Sequence, residues 1–233
     1  MQADALGAVL GASQAILFDF DGPIVDVFRG LPAPAIAKEL ADLLTGLAPV
    51  LESSARATDD PMEVHRLAQE GGSTILATVE AALTAAEIRA VKVAGAPTAG
   101  AVQALHAARD AGRHLAIVSN NSAECVREYL HLHGIIGVVT EIIGRPQLRP
   151  DLMKPSPHLL IAAATAFAVP PNRTVLIGDS VTDIEAAHAA GARSLGYANK
   201  PRKQAALTEA GADAIVFRMQ EVADSIGLSS TTS

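Results

Sequence analysis

The sequence predicts an α/β fold in which a doubly wound parallel sheet carries an inserted all-helical segment. Short apolar runs alternate with helical patterns along most of the 233 residues, and this alternation is typical of βαβ units in a Rossmann-like sheet. Glycines end the helical patterns at Gly112, Gly134, Gly191 and Gly211, where a residue without a Cβ adds little strain. One interval, residues 25–96, has helical periodicity and no strand pattern, which indicates the insertion.

The predicted strands and helices follow one another regularly. The first strand, over residues 15–20, is an apolar run that leads into Asp19, Asp21 and Gly22. Five further strands are predicted over residues 114–119, 138–143, 174–178, 192–196 and 214–217. Helices are predicted between them over residues 98–111, 123–133, 156–168, 181–190 and 201–209.

Two helical patterns, at residues 34–47 and 61–93, dominate the insertion. Asp60 and Pro61 are typical of a helix start, because proline fits the first helical position. Two adjacent glycines at 71 and 72 are expected to split the second pattern. We therefore predict a core domain over residues 14–24 and 96–228 and a helical domain over residues 25–95. Residues 229–233 are polar and expected to fray.

Composition predicts a large aliphatic core and argues against several classes of protein. Hydrophobic residues make up 49% of the chain, aromatic residues only 3%, and the formal net charge is −7 without a basic run, so no nucleic-acid partner is expected. Cys125 is the single cysteine, which favours a reducing compartment. The first 14 residues lack the basic start of a signal peptide, and no apolar stretch approaches the ~20 residues that span a bilayer. We expect a cytoplasmic protein with no membrane partner.

Acidic side chains stand where predicted strands end. The carboxyl ends of strands in such a sheet border one crevice, so Asp19 and Asp21 are expected to lie near Asp179. An ionised carboxylate such as Asp19 can act as a nucleophile at neutral pH. Asp179 and Asp183 are four residues apart, so both can face one ion if a helix begins between them. Asp183 is equally well explained as a structural acid.

Two other polar segments complete the set. The hydroxyl of Ser119, with backbone N–H groups near Asn120, can hold a phosphate oxygen. Lys154 supplies a positive charge that offsets the crowded acids. Considered singly, Ser119 is more simply explained as a helix cap and Lys154 as a solvated lysine, whereas a helix cap is the less favoured interpretation of Asp179.

Taken together, the order and spacing of these four segments resemble the haloacid dehalogenase superfamily of phosphotransferases, in its phosphoglycolate-phosphatase-like branch, over about residues 15–217. The resemblance implies an α/β core with a helical cap, an aspartyl-phosphate on Asp19, and Asp21 as general acid and base. It implies a Mg²⁺ ion held by Asp19, the main-chain carbonyl of Asp21, Asp179 and Asp183. It also implies substrate contacts from Gly22, Ser119, Asn120 and Lys154.

One position departs from the family pattern. The family usually has threonine or valine after the glycine of the first motif, whereas this chain has Pro23, which lacks an N–H and fixes φ. In the insertion and just before the lysine motif, six residues are candidates for substrate contact, although each is more often a solvated charge: Arg29, Arg56, Asp59, Asp60, His65 and Arg145.

The function expected from these observations is Mg²⁺-dependent hydrolysis of a small phosphorylated metabolite by a monomer or weak homodimer. A phosphomutase of the same superfamily and a non-catalytic phosphate-sensing module remain alternatives. A dehalogenase is disfavoured because that chemistry needs neither Asp21 nor Asp179. The chain has no GxGxxG after its first strand and no GxxxxGK[ST] loop, which argues against a dinucleotide-dependent dehydrogenase and a P-loop kinase.

Overall fold

The structure, a computed structural model, describes the backbone of residues 2–230 and the side chains of residues 4–228. Within this range one sheet contains six strands, numbered along the chain as β1 Ala15–Phe18, β2 His114–Val118, β3 Glu141–Ile143, β4 Thr174–Gly178, β5 Arg193–Tyr197 and β6 Ala214–Val216. All neighbouring strands are parallel, in the order β3-β2-β1-β4-β5-β6. The strand order reverses between β1 and β4, which confirms the doubly wound α/β fold.

The described helices are numbered in chain order as α1 Gln2–Ala12, α2 Ala33–Leu47, α3 Glu52–Arg56, α4 Pro61–Ala68, α5 Ser73–Val93, α6 Ala101–Asp110, α7 Ala123–Leu132, α8 His158–Ala166, α9 Val181–Ala190, α10 Pro201–Glu209 and α11 Met219–Ser230. Helices α9 and α10 have the predicted bounds. Helices α1, α3 and α11 were not predicted. Helix α11 continues to Ser230, so residues 229–230 are helical. The expected fraying stays a prediction, and residues 231–233 lie outside the described range.

All six predicted strands are present, but the first ends at Phe18 instead of residue 20, and the third is shorter than predicted. Residues 138–143 were expected to be extended, whereas Ile136–Val138 forms a 3₁₀ turn and β3 begins only at Glu141. The backbone N–H of Val138 donates to the carbonyl of Ile135 over 3.1 Å. The turn uses a hydrogen-bonding group that a strand would direct to its neighbour, so extended pairing starts later.

Helices cover both faces of the sheet. In β1, Ile16 and Phe18 belong to a core shared with α1, α6, α7 and α11, while Ala15 and Leu17 pack with α8 and α9. This alternation follows from the two-residue period of a strand. The central strand is therefore buried on both faces, as its continuous apolar sequence predicts.

Helices α2 to α5 lie between β1 and α6 in the chain, and α2 packs against α4 and α5. Leu40 and Leu44 of α2 are buried with Val79 and Leu83 of α5. A 3₁₀ turn at Gln69–Gly71 separates α4 from α5, which confirms the predicted split. The division into two domains stays a prediction. Among the described residues, no helix is both long and apolar enough to cross a membrane.

The strand register aligns the polar segments. Phe18 at the end of β1 lies opposite Ile117 of β2 and Ile177 of β4. The next residue, Asp19, donates its backbone N–H to the carbonyl of Ile177 over 2.8 Å. The residues that follow these three strands therefore emerge together at one edge of the sheet.

Candidate active site

A cavity of about 200 Å³ lies at this edge and holds most of the predicted site residues. Larger cavities lie elsewhere on the surface, but this one contains the convergent ionisable groups that mark a reactive site. Its walls are formed by Asp19, Asp21, Phe28, Asp60, Met62, Ser119, Asn120, Asn121, Lys154, Asp179, Ser180 and Thr182.

The carboxylate of Asp19 is buried directly after β1, with 7% of the residue exposed. Its Oδ1 accepts the N–H of Phe20 at 2.7 Å and lies 2.8 Å from Lys154 Nζ. Both of these contacts from the described residues are made to Oδ1, and neither is made to Oδ2. Burial raises the pKa of Asp19 to about 7, although the positive charge of Lys154 opposes the rise.

Asp21 lies two residues further along, in a tight turn. Its Oδ1 accepts the N–H of Val27 at 2.9 Å, and burial raises its pKa to about 7. Gly22 has φ +102° and donates its N–H to Val25 O at 2.7 Å. Because the hydrogen bonds of this turn come from the N–H groups of Gly22, Ile24 and Val25, Pro23 fits without loss of a donor that the turn uses.

Gly22 is needed for close packing rather than as a wall of the cavity. A Cβ at this position would overlap the carboxylate of Asp179, and its positive φ is one that residues with side chains rarely adopt. Gly22 does not line the cavity, and its predicted substrate contact stays a prediction. The glycine lets Asp179 approach the first motif.

Helix α9 positions Asp183 next to Asp179. Ser180, not Asp179, is the N-cap, and its hydroxyl forms a reciprocal capping box with Asp183. Asp183 is wholly buried; its Oδ2 accepts the Ser180 N–H at 3.1 Å, and its Oδ1 lies 2.5 Å from Lys154 Nζ. Asp183 therefore has the structural role considered above and also lies in the acidic cluster.

Carboxylate oxygens of Asp19, Asp179 and Asp183 lie within 4.8 Å of one another. Three hard oxygen donors at this spacing suit a small divalent cation such as Mg²⁺, which prefers carboxylates, water and substrate phosphate as ligands. The donor set therefore fits the predicted metal. The contribution expected from Asp21 concerned its main-chain carbonyl, and it stays a prediction.

Lys154 is buried, with 2% of the residue exposed, so its interpretation as a solvated surface lysine is wrong. Its Nζ donates to Val118 O at 3.1 Å and contacts both Asp19 and Asp183. Burial alone lowers the pKa of Lys154, but the two carboxylates outweigh it, so the pKa lies above its ordinary value and the ammonium stays charged.

Ser119 and Asn120 form the loop after β2. Ser119 Oγ donates to Asn121 Oδ1 at 3.2 Å, and the helix cap that follows is Ser122, so the interpretation of Ser119 as an N-cap is wrong. Asn120 holds the backbone of Lys154: its Oδ1 accepts the lysine N–H at 2.8 Å, and its Nδ2 donates to the lysine carbonyl at 3.1 Å.

Lys203 and Asn199 are neighbours of Asp179 that sequence reasoning missed. The ammonium of Lys203 contacts Asp179 Oδ2, and Asn199 Nδ2 donates to the same oxygen at 3.1 Å. Burial raises the pKa of Asp179, and Lys203 opposes that rise. The signal available in the sequence was the position of both residues just after β5, at the same edge of the sheet.

The six candidate substrate contacts lie in different places relative to the cavity. Asp60 lines the cavity, together with Phe28 and Met62, which sequence reasoning missed. Arg145 does not: its side chain is 1% exposed and pairs with Glu87, with NH1 2.7 Å from Oε1. His65 is fully buried away from the cavity walls. Arg29, Arg56 and Asp59 are exposed and do not line the cavity.

Comparison with known proteins agrees with this geometry. The haloacid dehalogenase-like hydrolase family matches residues 14–191. A phosphoglycolate phosphatase of Xylella fastidiosa is 30% identical, over 78% of this chain and 79% of that one. A phosphoglycolate phosphatase of Rhodospirillum rubrum is 28% identical, over 81% and 82%.

Solved structures show the same fold. A haloacid dehalogenase-like protein of unknown function from Agrobacterium tumefaciens has a TM-score of 0.61 and 26% identity, covering 90% of this chain and 95% of that one. A predicted phosphoglycolate phosphatase from Haemophilus somnus has a TM-score of 0.64 at 20% identity, covering 91% and 96%. The chain belongs to the haloacid dehalogenase-like hydrolases and is a phosphatase of that family.

Proposed function

We propose that this haloacid dehalogenase-like hydrolase releases phosphate from a small phosphorylated metabolite through an aspartyl-phosphate on Asp19, with Mg²⁺ as cofactor. The observation that carries the proposal is the pairing of the buried Asp19 with Lys154, beside Asp21 and the carboxylates of Asp179 and Asp183. Phosphoryl transfer depends mainly on positioning and charge neutralisation, and this arrangement supports both.

In the first step, Asp19 Oδ2 attacks phosphorus while the bond to the ester oxygen breaks. The contacts from Phe20 and Lys154 to Oδ1 fix the carboxylate and leave the second oxygen for attack. Asp21 gives its proton to the departing oxygen, and its pKa of about 7 supports a protonated population near neutral pH. The leaving alcohol then departs with the electron pair of the broken bond.

In the second step, the Asp21 carboxylate takes a proton from water, whose oxygen attacks phosphorus. The bond between phosphorus and Asp19 breaks, which releases inorganic phosphate and restores the carboxylate. Ser119 and Lys154 bind the phosphate oxygens throughout. Bound Mg²⁺ supplies additional positive charge to those oxygens, and Asp19, Asp179 and Asp183 would hold it.

We also propose that residues 25–95 form a helical cap domain on a core domain of residues 14–24 and 96–228. Phe28, Asp60 and Met62 line the cavity from this interval, which supports a role in covering the substrate. A cap that closes over a reacting phosphate excludes water from the first step and contacts the leaving group.

The test is phosphate release from p-nitrophenyl phosphate by the wild type and by Asp19→Asn, with Mg²⁺ or with a chelator. We expect the variant to lose at least about a thousandfold in kcat, because its amide is not an oxygen nucleophile. Asp110→Asn, at an exposed carboxylate paired with Arg109, is the matched control and should keep wild-type activity. Full activity in Asp19→Asn would refute the proposal. With a sugar phosphate as substrate, accumulation of free phosphate instead of an isomerised sugar phosphate separates it from a phosphomutase.

A further inference from the structure

The insertion contributes acidic and apolar side chains to the wall of the cavity. These are Phe28, Asp60 and Met62, while the core contributes the phosphate-side groups. Among the described residues that line the cavity, Lys154 is the one cation, and its ammonium already contacts Asp19 and Asp183. The part of the substrate that faces the insertion therefore meets a carboxylate and two apolar side chains.

The start of α4 cannot compensate for this acidic wall. Free N–H groups at a helix start attract anions, but here Asp60 is the N-cap and accepts the N–H of Met62 at 2.8 Å. Pro61 has no N–H, and Glu63 donates its N–H to the carbonyl of Asp60 at 3.1 Å. The donors of the first turn are thus satisfied by the chain itself.

The arginines near the insertion are also engaged elsewhere. Arg56 pairs with Asp42 at 2.8 Å on the surface, and the buried Arg145 pairs with Glu87. Arg66 pairs with Glu63 and donates to the Lys154 carbonyl at 3.2 Å, so it lies beside the site but lines a separate cavity. None of these guanidinium groups lines the reaction cavity.

We infer that this site selects phosphate esters whose leaving alcohol is neutral or positively charged, and that it discriminates against a leaving group bearing a carboxylate. The inference rests on the proposed function and deepens it by naming the substrate class. Asp60 is an exposed carboxylate on the cavity wall, and placing a second anion beside it brings like charges together. The cavity of about 200 Å³ also favours a small leaving group.

The test compares three esters of similar length: 2-phosphoglycolate, 2-hydroxyethyl phosphate and 2-aminoethyl phosphate. They carry a carboxylate, a hydroxyl and an ammonium at the same end. We expect the wild type to have a kcat/KM for 2-phosphoglycolate at least about tenfold below that for either other ester. A kcat/KM for 2-phosphoglycolate that equals or exceeds the others would overturn the inference.

Asp60→Asn isolates the charge, because asparagine caps a helix as well as aspartate does. In this variant we expect the ratio of kcat/KM for 2-phosphoglycolate to that for 2-aminoethyl phosphate to rise about tenfold. Comparing the same esters between two enzymes cancels their intrinsic reactivity. An unchanged ratio would overturn the assignment to Asp60.

Asp59→Asn is the matched control, because Asp59 is exposed, adjacent and outside the cavity wall; its selectivity should equal that of the wild type. A shift in Asp59→Asn as large as in Asp60→Asn would contradict a local contact.

Turnover of p-nitrophenyl phosphate separates failure of the proposed function from failure of the inference about charge. No Mg²⁺-dependent turnover of this ester overturns the proposed function, and the inference with it. Its turnover together with a preference for 2-phosphoglycolate overturns only the inference about charge.

Discussion

Two buried ion-pair clusters flank the loop after β2, and they differ in how charge is balanced. In the first, the Lys154 ammonium is shared by two carboxylates and borders the cavity. In the second, the Arg145 guanidinium faces one carboxylate, with NH1 at 2.7 Å from Glu87 Oε1 and NH2 at 3.3 Å from Oε2. The first cluster keeps excess negative charge where a cation and a phosphate can bind, whereas the second is self-contained.

Asn120 connects the two clusters. Its side chain holds the backbone of Lys154, and its carbonyl accepts a hydrogen bond from Arg145 NH1 at 3.1 Å. Glu87 also accepts the N–H of Ser122 at 3.0 Å and Asn121 Nδ2 at 3.2 Å. Similar buried ion pairs therefore have different roles in this protein. The Lys154 cluster polarises the reaction cavity, and the Arg145 cluster fixes the loop after β2 to helix α5.

Of the variants that compare the two clusters, Lys154→Met should have the largest effect, because it removes the cation that lines the cavity. We expect kcat for p-nitrophenyl phosphate to fall about 10²–10³-fold, the range for losing one strong electrostatic contact to a transition state. Leaving Asp19 and Asp183 without their buried partner should also reduce the free energy of unfolding by ~3–5 kcal/mol. Steady-state kinetics with Mg²⁺ and urea unfolding measure the two effects.

The matched control for that variant is Lys38→Met, at an exposed lysine paired with Asp42, which should leave kcat within about twofold and stability within ~1 kcal/mol. If Lys154→Met retained wild-type kcat while folded, the contrast between the two clusters would fail. In that case the lysine would serve structure alone, as the arginine does.

Glu87→Gln should mainly reduce stability. It leaves a buried guanidinium without a counter-charge, which typically costs ~3–5 kcal/mol, while the phosphate-side groups remain in place. We expect the midpoint of urea unfolding to fall clearly and kcat of the folded enzyme to change less than about tenfold. The double variant Glu87→Met with Arg145→Leu should recover part of the lost stability, because it buries no unpaired charge.

An exposed pair provides the reference for this measurement. Glu39 lies 2.6 Å from Arg89, and both side chains are about half exposed, so Glu39→Gln should alter the free energy of unfolding by less than ~1 kcal/mol. A kcat loss in Glu87→Gln as large as in Lys154→Met would show that the second cluster also acts on the reaction.

His65, next to the second cluster, makes the free energy of unfolding depend on pH. Burial, with Arg145 and Arg66 nearby, lowers the pKa of His65 to about 4, although Glu87 opposes this; its Nε2 lies 3.3 Å from Glu80 Oε2. Below about pH 6.5 the unfolded chain takes up a proton on His65 that the native protein does not, so stability present above pH 6.5 is lost as pH falls toward 4. The loss is at most ~3 kcal/mol.

His65→Gln should flatten the decline in stability between pH 6.5 and pH 4, as measured by urea unfolding at several pH values. His158→Gln, at an exposed histidine, is the control and should keep the slope of the wild type. An identical slope in His65→Gln and the wild type would show that His65 is protonated as readily in the native protein as in the unfolded chain.

Elements with strong local signals could be predicted from the sequence. Helix α9 has the predicted bounds because Ser180 caps its start and Gly191, with φ +73°, follows its end. Helix α1 was missed because its apolar and small residues form no clear amphipathic stripe; Leu6 and Leu10 are nevertheless buried in the core. Its helical state depends on packing against α11, which the local sequence does not reveal.

The sequence by itself determined the sheet, the edge at which its motifs meet, and the side chains that stand there. Those features depend on periodicity and on residues adjacent to strand ends, which are local properties of the chain. Only the tertiary structure decided that Arg145 pairs with Glu87 instead of facing substrate, and that Asp60 lines the cavity while Asp59 does not. The arginine and its partner are 58 residues apart, and contacts over such separations leave no pattern in a single sequence. The partner of Arg145 and the position of Asp60 both depend on how the insertion packs against this edge of the sheet.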